Sequence, residues 1–519
     1  MTFARYHRQR CCLIAFTLLL PIALILTTAQ AHANGWEHGA IPFEALIEAL
    51  EFEAPEMRRR AAISLGFRGQ PEAVAPILER LAKPEENPHV RSAIYTALGR
   101  LGDRRAIAAL MACMDKETRY ELRSDCVASL GMIGDKSTLP RLLTSLHNDS
   151  SFLVKSRIVD ALGNFPDSTS VATLVDLIRD KGNRTLRQRA IRALSQTGSQ
   201  AAAKPLLKEL ATTLSDSERL LLIKALTDLR PKVAVAPLIE LLRKTDDPHL
   251  RTQIVIALGA IRDGDTYPTL ISMLTDEIPA VRYFAVRGLH ELRRREAAIP
   301  IAKQSIQISQ RLEKKTSSEL LSDPLPVLAD LSFQVVTLQA LADLDAPAVI
   351  EALLRAARPR EIPRNSAVSL KIAEGFYQQR RAALNGLGYT RSQKAASFLK
   401  GPAGLGDPDF RLRAVAVRSL AVLGLFDAAE NLLPLLSDPM AEVRWTAATM
   451  LGRLKNQKAV EPLIERLSDP NAEVRRQAAF SLGYLGSRKA YVRLRYIASN
   501  DDSETVRTAA SYSVRLLDK

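Results

Sequence analysis

The chain has 519 residues, 47% hydrophobic and 25% charged, with a formal charge of +15 and only 5% aromatic residues. Its length and apolar share suffice for an extensive core, while the scarcity of rings argues against a carbohydrate groove or a single-stranded nucleic-acid platform, which need stacking surfaces. A basic balance ordinarily suggests nucleic acid, so the positions of the cations decide how it is read.

Residues 1–33 carry Arg5, Arg8 and Arg10, then an apolar run from Cys11 to Thr28, then Ala31-His32-Ala33. These are the three regions of a secretory signal peptide, cleaved before Asn34. The alternative is an uncleaved N-terminal membrane anchor, because the run approaches the roughly 20 residues that span a bilayer. Pro21 interrupts that run, and no later segment is expected to cross a membrane. Without the three leader arginines the excess falls from +15 to +12. Export to a periplasmic or extracellular space removes nucleic acid as a partner. It leaves a protein partner or an anionic envelope polymer, with membrane contact only if the leader stays.

Residues 34–56 are expected to form an N-terminal capping helix, and a period begins at Met57. Ser468–Ala490 repeats Ser437–Ala459 at an offset of 31 residues, with Asp-Pro, Val-Arg and Leu-Gly in register. Counting from the residue before the conserved-register basic position, fourteen units start at Met57, Val90, Leu122 and onward to Val474 and Val506. The eighth position after each start is leucine from Leu65 to Leu482, and the seventh is small in every unit but that of Met450. Such a pair suits close helix packing. The ninth position is often glycine (Gly66, Gly99, Gly131, Gly483), which is expected to end a first helix and turn into a second. Pro76, Pro205, Pro237, Pro300 and Pro462 share one register early in that second helix, where a missing N–H costs nothing. Each unit is therefore an antiparallel helix pair whose core is completed by its neighbours.

The pattern D-P-x-x-x-V-R-x-x-A-x-x-x-L-G, followed by A-V-x-P-L, resembles HEAT repeats of the subclass found in phycobilin lyases and deoxyhypusine hydroxylase. The resemblance covers nearly all of the mature chain and implies an all-α solenoid with a concave binding face. It divides the chain into a 57–302 array, an irregular 303–378 segment with one degenerate repeat, and a 379–519 array. A scaffold is the expected function, with a lyase or oxidoreductase as the alternative, because the repeat serves many scaffolds and few enzymes.

Thirteen of the fourteen units place Arg or Lys one residue after the start, Gln334 being the exception. Asp149, Asp276, Asp407, Asp438, Asp469 and Asp501 lie five residues before starts, placed to cap the first helix and face an adjacent unit's arginine. This reads as a structural ladder. The hydroxylase resemblance implies several His-Glu pairs holding iron, but the chain has one, His290-Glu291, in the column that holds glycine elsewhere. No metal or cofactor is expected. Cys126 falls in a core column, whereas Cys113 shares a column with Arg80 and Arg466, which disfavours a disulfide. Gly401–Gly406 reads as a connector, since no strand precedes it.

The period breaks after Val281. Two insertions, punctuated by Pro324, Pro326, Pro359 and Pro363, lie within 291–400, which holds 17 Lys/Arg against 11 Asp/Glu. A solvated loop, an anion-binding protrusion or a hinge dividing two solenoid arms fits. The candidate partner-binding residues are Arg293, Arg294, Arg295, Arg355, Arg358, Arg360 and Arg364. Arg488, Arg493, Arg495 and Tyr496 join them from the atypical second helix near the C-terminus, where capping of the core competes with partner binding.

Overall fold

A computed structural model describes residues 41–85, 87–342, 347–424 and 428–518. The leader and most of the 34–56 segment's start lie outside the described residues. Among the described residues the chain is built from α-helices and short 3-10 turns with no strand, an α-solenoid of paired helices. It divides between Leu229 and Arg230 into two compact units.

Local chemistry sets the helix pair. First helices begin at side-chain caps such as Asn87, Ser151, Asp247 and Asn471, which accept backbone amides of the first turn. Leucines of the eighth column, such as Leu98, Leu258 and Leu482, are fully buried, each contributing about 1.5–3 kcal/mol of transfer free energy. The second helix opens with a 3-10 turn and carries its proline at the third helical residue, as Pro76 does in Val74–Ala82 and Pro462 in Val460–Arg466. That position lacks an intrahelical partner for its N–H, so proline breaks nothing.

Gly163 and Gly388 of the ninth column end their helices, but most of the column's glycines do not. Gly483 lies inside the helix Ala472–Leu485, and a Cβ built on it would come within 2.7 Å of the Ser513 Cβ in the next first helix. It is a contact residue that lets two backbones approach. The adjacent serine uses that closeness: Ser129, Ser481 and Ser513 donate their hydroxyls to the carbonyls of Tyr95, Ala448 and Ala479 in the preceding first helix at 2.8 Å. The turn sits three residues later, at the twelfth position, where Gly102, Gly424 and Gly486 take positive φ near 67°. Arg230, Arg262, Arg293, Arg391 and Lys455 occupy the same left-handed position with φ of 50–56°. A helix C-terminus favours a cation there, though an L side chain fits that conformation poorly.

The ladder holds. Arg413, Arg444 and Arg475 direct Nε and Nη2 to both oxygens of Asp438, Asp469 and Asp501 at 2.7–2.9 Å. Their Nη1 atoms donate to the two carbonyls just before their own helix at 2.7–3.3 Å. Arg123 treats Asp149 alike at 2.9 and 3.0 Å. Arg251 and Arg380 pair with Asp276 and Asp407, and glutamates serve Arg58, Arg91 and Arg187. The aspartates do not cap the helix directly, however. Asp438, Asp469 and Asp501 accept the amides of Met440, Asn471 and Ser503, two residues on, fixing the bend that precedes the helix.

Two further expectations change. Cys113 and Cys126 are both buried and form a disulfide, with Cα atoms 6.4 Å apart. The column of Cys113 faces inward, because its arginine in the first unit, Arg80, is itself buried and donates to Leu50 O at 3.0 Å and Glu85 at 2.6 Å. Many of the inserted residues of 303–378 lengthen helices: Ala298–Glu313, Pro324–Ala342 and Ala367–Leu387 run 16, 19 and 21 residues, whereas 357–366, with Arg358, Arg360 and Arg364, form a non-helical and mostly exposed connection. Pro324–Ala342 is long and apolar enough to cross a membrane, contrary to the expectation that none after the leader would be, but 56% of its most apolar stretch is buried within the protein.

Candidate partner-binding face

With most ladder arginines neutralised within the stack, a set of rings and cations remains on the exposed side of the first helices. Where a glycine of one first helix meets a small residue of the next, no side chain stands above the contact, and a groove forms. In the second unit Gly259 faces Gly288, and Gly452 faces Ser481. The cavities over these contacts are about 210 and 380 Å³ and are lined by register-equivalent residues. The first holds Arg230, Ile256, Arg262, Phe284, Arg287 and Glu291. The second holds Thr449, Arg453, Lys455, Gln477, Phe480 and Tyr484.

These walls pair rings with cations. Phe480 stands edge-on to Tyr512 with centroids 5.9 Å apart, and the guanidinium of Arg476 lies 5.8 Å from the Phe480 ring. Tyr484 is 57% exposed, and Tyr389 and Val422 of the same column are also exposed. Arg418 is half-buried, and desolvation lowers its pKa below the ordinary arginine value, with nearby Arg381 adding to the effect and Glu442 opposing it. In the first unit Arg100 lies 3.8 Å over the ring of Phe67, in the same column as Tyr484. Exposed rings flanked by guanidinium groups are the composition of protein-binding hot spots. The sequence reading missed this face because it looked for breaks in the period. Tabulating the sixth and tenth columns, where Phe67, Tyr389, Phe480, Tyr484 and Tyr512 fall, is the signal that finds it.

The sequence-predicted residues separate into groups. Arg293 takes the left-handed turn position, Arg294 lies 5.3 Å from the Tyr267 ring, and Arg295 opens a 3-10 turn. Arg355 is committed to Glu313 at 2.6 Å, and with exposed Arg358 it lines a cavity of about 540 Å³. Arg360 and Arg364 line a different cavity, of about 590 Å³. Near the C-terminus Arg493 stacks 5.4 Å from Tyr496 and donates to Ser468 at 2.7 Å, Arg495 lies 5.9 Å from Tyr491, and Arg488 is exposed in a 3-10 turn.

Among the described residues no group of three or more His, Cys, Asp or Glu side chains is placed to hold a metal ion. Glu291, beside His290 at the end of its first helix, pairs with Arg262. The amides of Gly404, Leu405 and Gly406 bond the carbonyls of Gly401, Leu399 and Gly401, so this glycine-rich connector offers no phosphate cradle.

A family model for HEAT repeats matches residues 43–131, 139–227, 204–277, 235–317 and 429–515, well over half of the chain. The lengthened stretch falls largely between the matched ranges. No curated protein matches the chain significantly. Among solved structures, Kap95p from a complex with RanGDP is 13% identical, with 94% of this chain and 72% of that chain covered at a TM-score of 0.50. Human deoxyhypusine hydroxylase is 23% identical over 48% of this chain and 95% of its own, at a TM-score of 0.23. The phycocyanin lyase complex of CpcE and CpcF from Nostoc is 21% identical over 50% and 91%, at 0.25.

Proposed function

The chain belongs to the HEAT-repeat family, and on that premise we propose that it is an exported, non-catalytic scaffold that binds a protein partner along the face of its first helices. The observation that carries this reading is the division of labour among its polar residues. Ladder arginines are spent on neighbouring aspartates and glutamates, while rings and cations of the sixth, tenth and twelfth columns line the grooves between first helices. Kap95p, whose structure was solved in a complex with RanGDP, offers a precedent for a solenoid of this fold that engages a protein.

Export is supported by the leader's three-part composition and by the Cys113–Cys126 disulfide, which suits an oxidising compartment. Periplasmic or extracellular residence with the leader removed is the reading adopted, and N-terminal sequencing of the native protein tests it. A lyase or oxidoreductase is the alternative, and no group of three or more metal-ligating side chains among the described residues favours it. Binding to an anionic envelope polymer loses its main argument once the ladder cations are paired.

The decisive experiment is cross-linking capture from the native envelope fraction with the intact chain and with a variant carrying Phe480→Ala, Tyr484→Ala and Tyr512→Ala. Loss of the partner by about tenfold or more is expected, the scale of removing hot-spot rings. Undiminished capture sinks the assigned face. Turnover of a small molecule by purified protein with bound metal or cofactor sinks the scaffold itself. A steep fall of binding with salt transfers the reading to the anionic polymer.

A further inference from the structure

The cavity of about 590 Å³ at the break in the period has a charge balance that the ladder does not explain. Its walls come from the segment after Ala356, from the helix Ala367–Leu387 and from the start of the helix Phe410–Leu423. Four arginines and two aspartates line it. Arg380 is consumed by Asp407 and by Ala357 O at 3.1 Å. Arg411 is consumed by Asp409 at 2.7 Å and lies 4.1 Å over Tyr377. Two cations remain. Arg360 donates only to the backbone oxygens of Leu312 and Lys315, and Arg364 is exposed with no carboxylate bound to it.

Arg360 is thus a half-buried guanidinium balanced by neutral carbonyls. Desolvation pushes its pKa below the usual arginine value, and the distant Glu313 only partly opposes this. An incoming carboxylate restores the missing charge, and the planar fork of arginine suits it. Rings line the cavity as well. Arg411 covers one face of Tyr377, Arg360 lies 5.5 Å from Phe376, and Phe376 is buried, while Phe410 adds a partly exposed ring to the wall. Apolar ring edges and Ile362 remain beside the two cations. The volume lies within the range of roughly 300–1,000 Å³ typical of ligand pockets.

We propose that this cavity binds an acidic peptide segment of the protein partner, a Glu or Asp carboxylate between Arg360 and Arg364 with a neighbouring apolar side chain against Ile362 and Phe376. This rests on the scaffold reading and names where an acidic stretch of the partner docks.

The test is a fluorescence-anisotropy titration of the full chain with a dye-labelled peptide of alternating glutamate and leucine. Its glutamine counterpart and inorganic phosphate are measured alongside. Binding of the glutamate peptide is expected to exceed that of the glutamine peptide by about tenfold or more, and Arg364→Glu is expected to weaken it by a similar factor. Arg364 is exposed and forms no hydrogen bond or ion pair within the fold, although its charge acts on Asp409, so Arg364→Gln is measured beside Arg364→Glu and circular dichroism checks that both keep their helix content, whereas Arg360→Gln also removes bonds to Leu312 and Lys315 and is read only beside them. Lys208→Glu, at an exposed position of the helix Ala203–Thr212 and away from the cavity, leaves the titration unchanged. Equal binding of the two peptides, or indifference to Arg364→Glu, overturns the proposal. Full displacement by phosphate overturns the peptide assignment in favour of a free oxyanion. The two readings fail separately: indifference to Arg364→Glu with envelope capture intact removes the cavity alone, whereas the absence of any captured protein removes the scaffold.

Discussion

The C-terminal repeats from Asp407 to Arg507 and the long-helix stretch from Ala298 to Leu387 solve one packing problem in two ways. In the regular repeats each first helix is tied to the next by a buried arginine–aspartate fork, as in Arg444 with Asp469, whose side chains are 12% and 2% exposed. In the long helix Pro324–Ala342 the ladder position holds Gln334, which is fully buried. It accepts from Ser305 Oγ at 2.7 Å and donates to Ser305 O at 2.7 Å and Ser309 Oγ at 2.9 Å. Asp330 lies on the same helix and takes Arg311 at 2.7 Å. At this one position a neutral amide, satisfied by two serines, stands where neighbouring units place a cation with its carboxylate, as Arg380 of Ala367–Leu387 does with Asp407.

Breaking the fork should have the largest effect. Arg444→Ala leaves Asp469 buried and unpaired, and about 3 kcal/mol of stability should be lost, read from denaturant unfolding. A loss below that of a surface pair, about 1 kcal/mol or less, would mean the fork is ornamental. Gln334→Leu should cost less, about 1–3 kcal/mol, because it strands the neutral Ser305 and Ser309 hydroxyls and not a charge.

Acid should separate the two regions. The Arg475 guanidinium holds the Asp501 carboxyl below the ordinary carboxylate range. For Asp469 burial alone would raise it, but the Arg444 and Asn471 hydrogen bonds prevail and lower it. A depressed folded pKa contributes stability that is fully present above the unfolded value near ~4 and lost as pH falls through the folded value. Hydrogen exchange compared at neutral pH and below ~4 should therefore show the fork repeats losing protection first, with the amides around Gln334 changing less. Equal loss in both regions would contradict a fork-specific origin.

The smallest effect is expected at the turns that bracket the long helices. Arg293 and Arg391 hold the left-handed position that glycine fills at Gly424 and Gly486. Arg293→Gly should relieve an unfavourable backbone by about 1 kcal/mol, partly offset by the lost helix-terminal cation, whereas Gly486→Ala should destabilise by a similar amount. A drop in melting temperature for Arg293→Gly would mean the cation outweighs the strain.

Much of the fold was legible because every repeated column answers to a cause that acts within one unit or between identical neighbours. Leucine at the eighth position, a small residue at the seventh, the early proline and the ladder arginine recur wherever the same contact recurs. The candidate site was less legible. Of the eleven predicted residues, Arg360 and Arg364 share one cavity and Arg355 and Arg358 another, and the rest are scattered. The grooves between first helices went unseen because their rings vary from unit to unit and so look like noise in a periodic sequence.

The sequence by itself determined the helix pair, its period and the arginine–aspartate ladder, since caps, prolines and buried leucines act over a few residues and the period carries them forward. Only the tertiary structure decided that most ninth-column glycines are contacts and the twelfth residue the turn, that Cys113 faces inward to meet Cys126, and that many of the inserted residues extend helices. The physical reason is common to all three. Each depends on how closely two helices from adjacent units approach, a distance set by side chains some thirty positions away that no local pattern records.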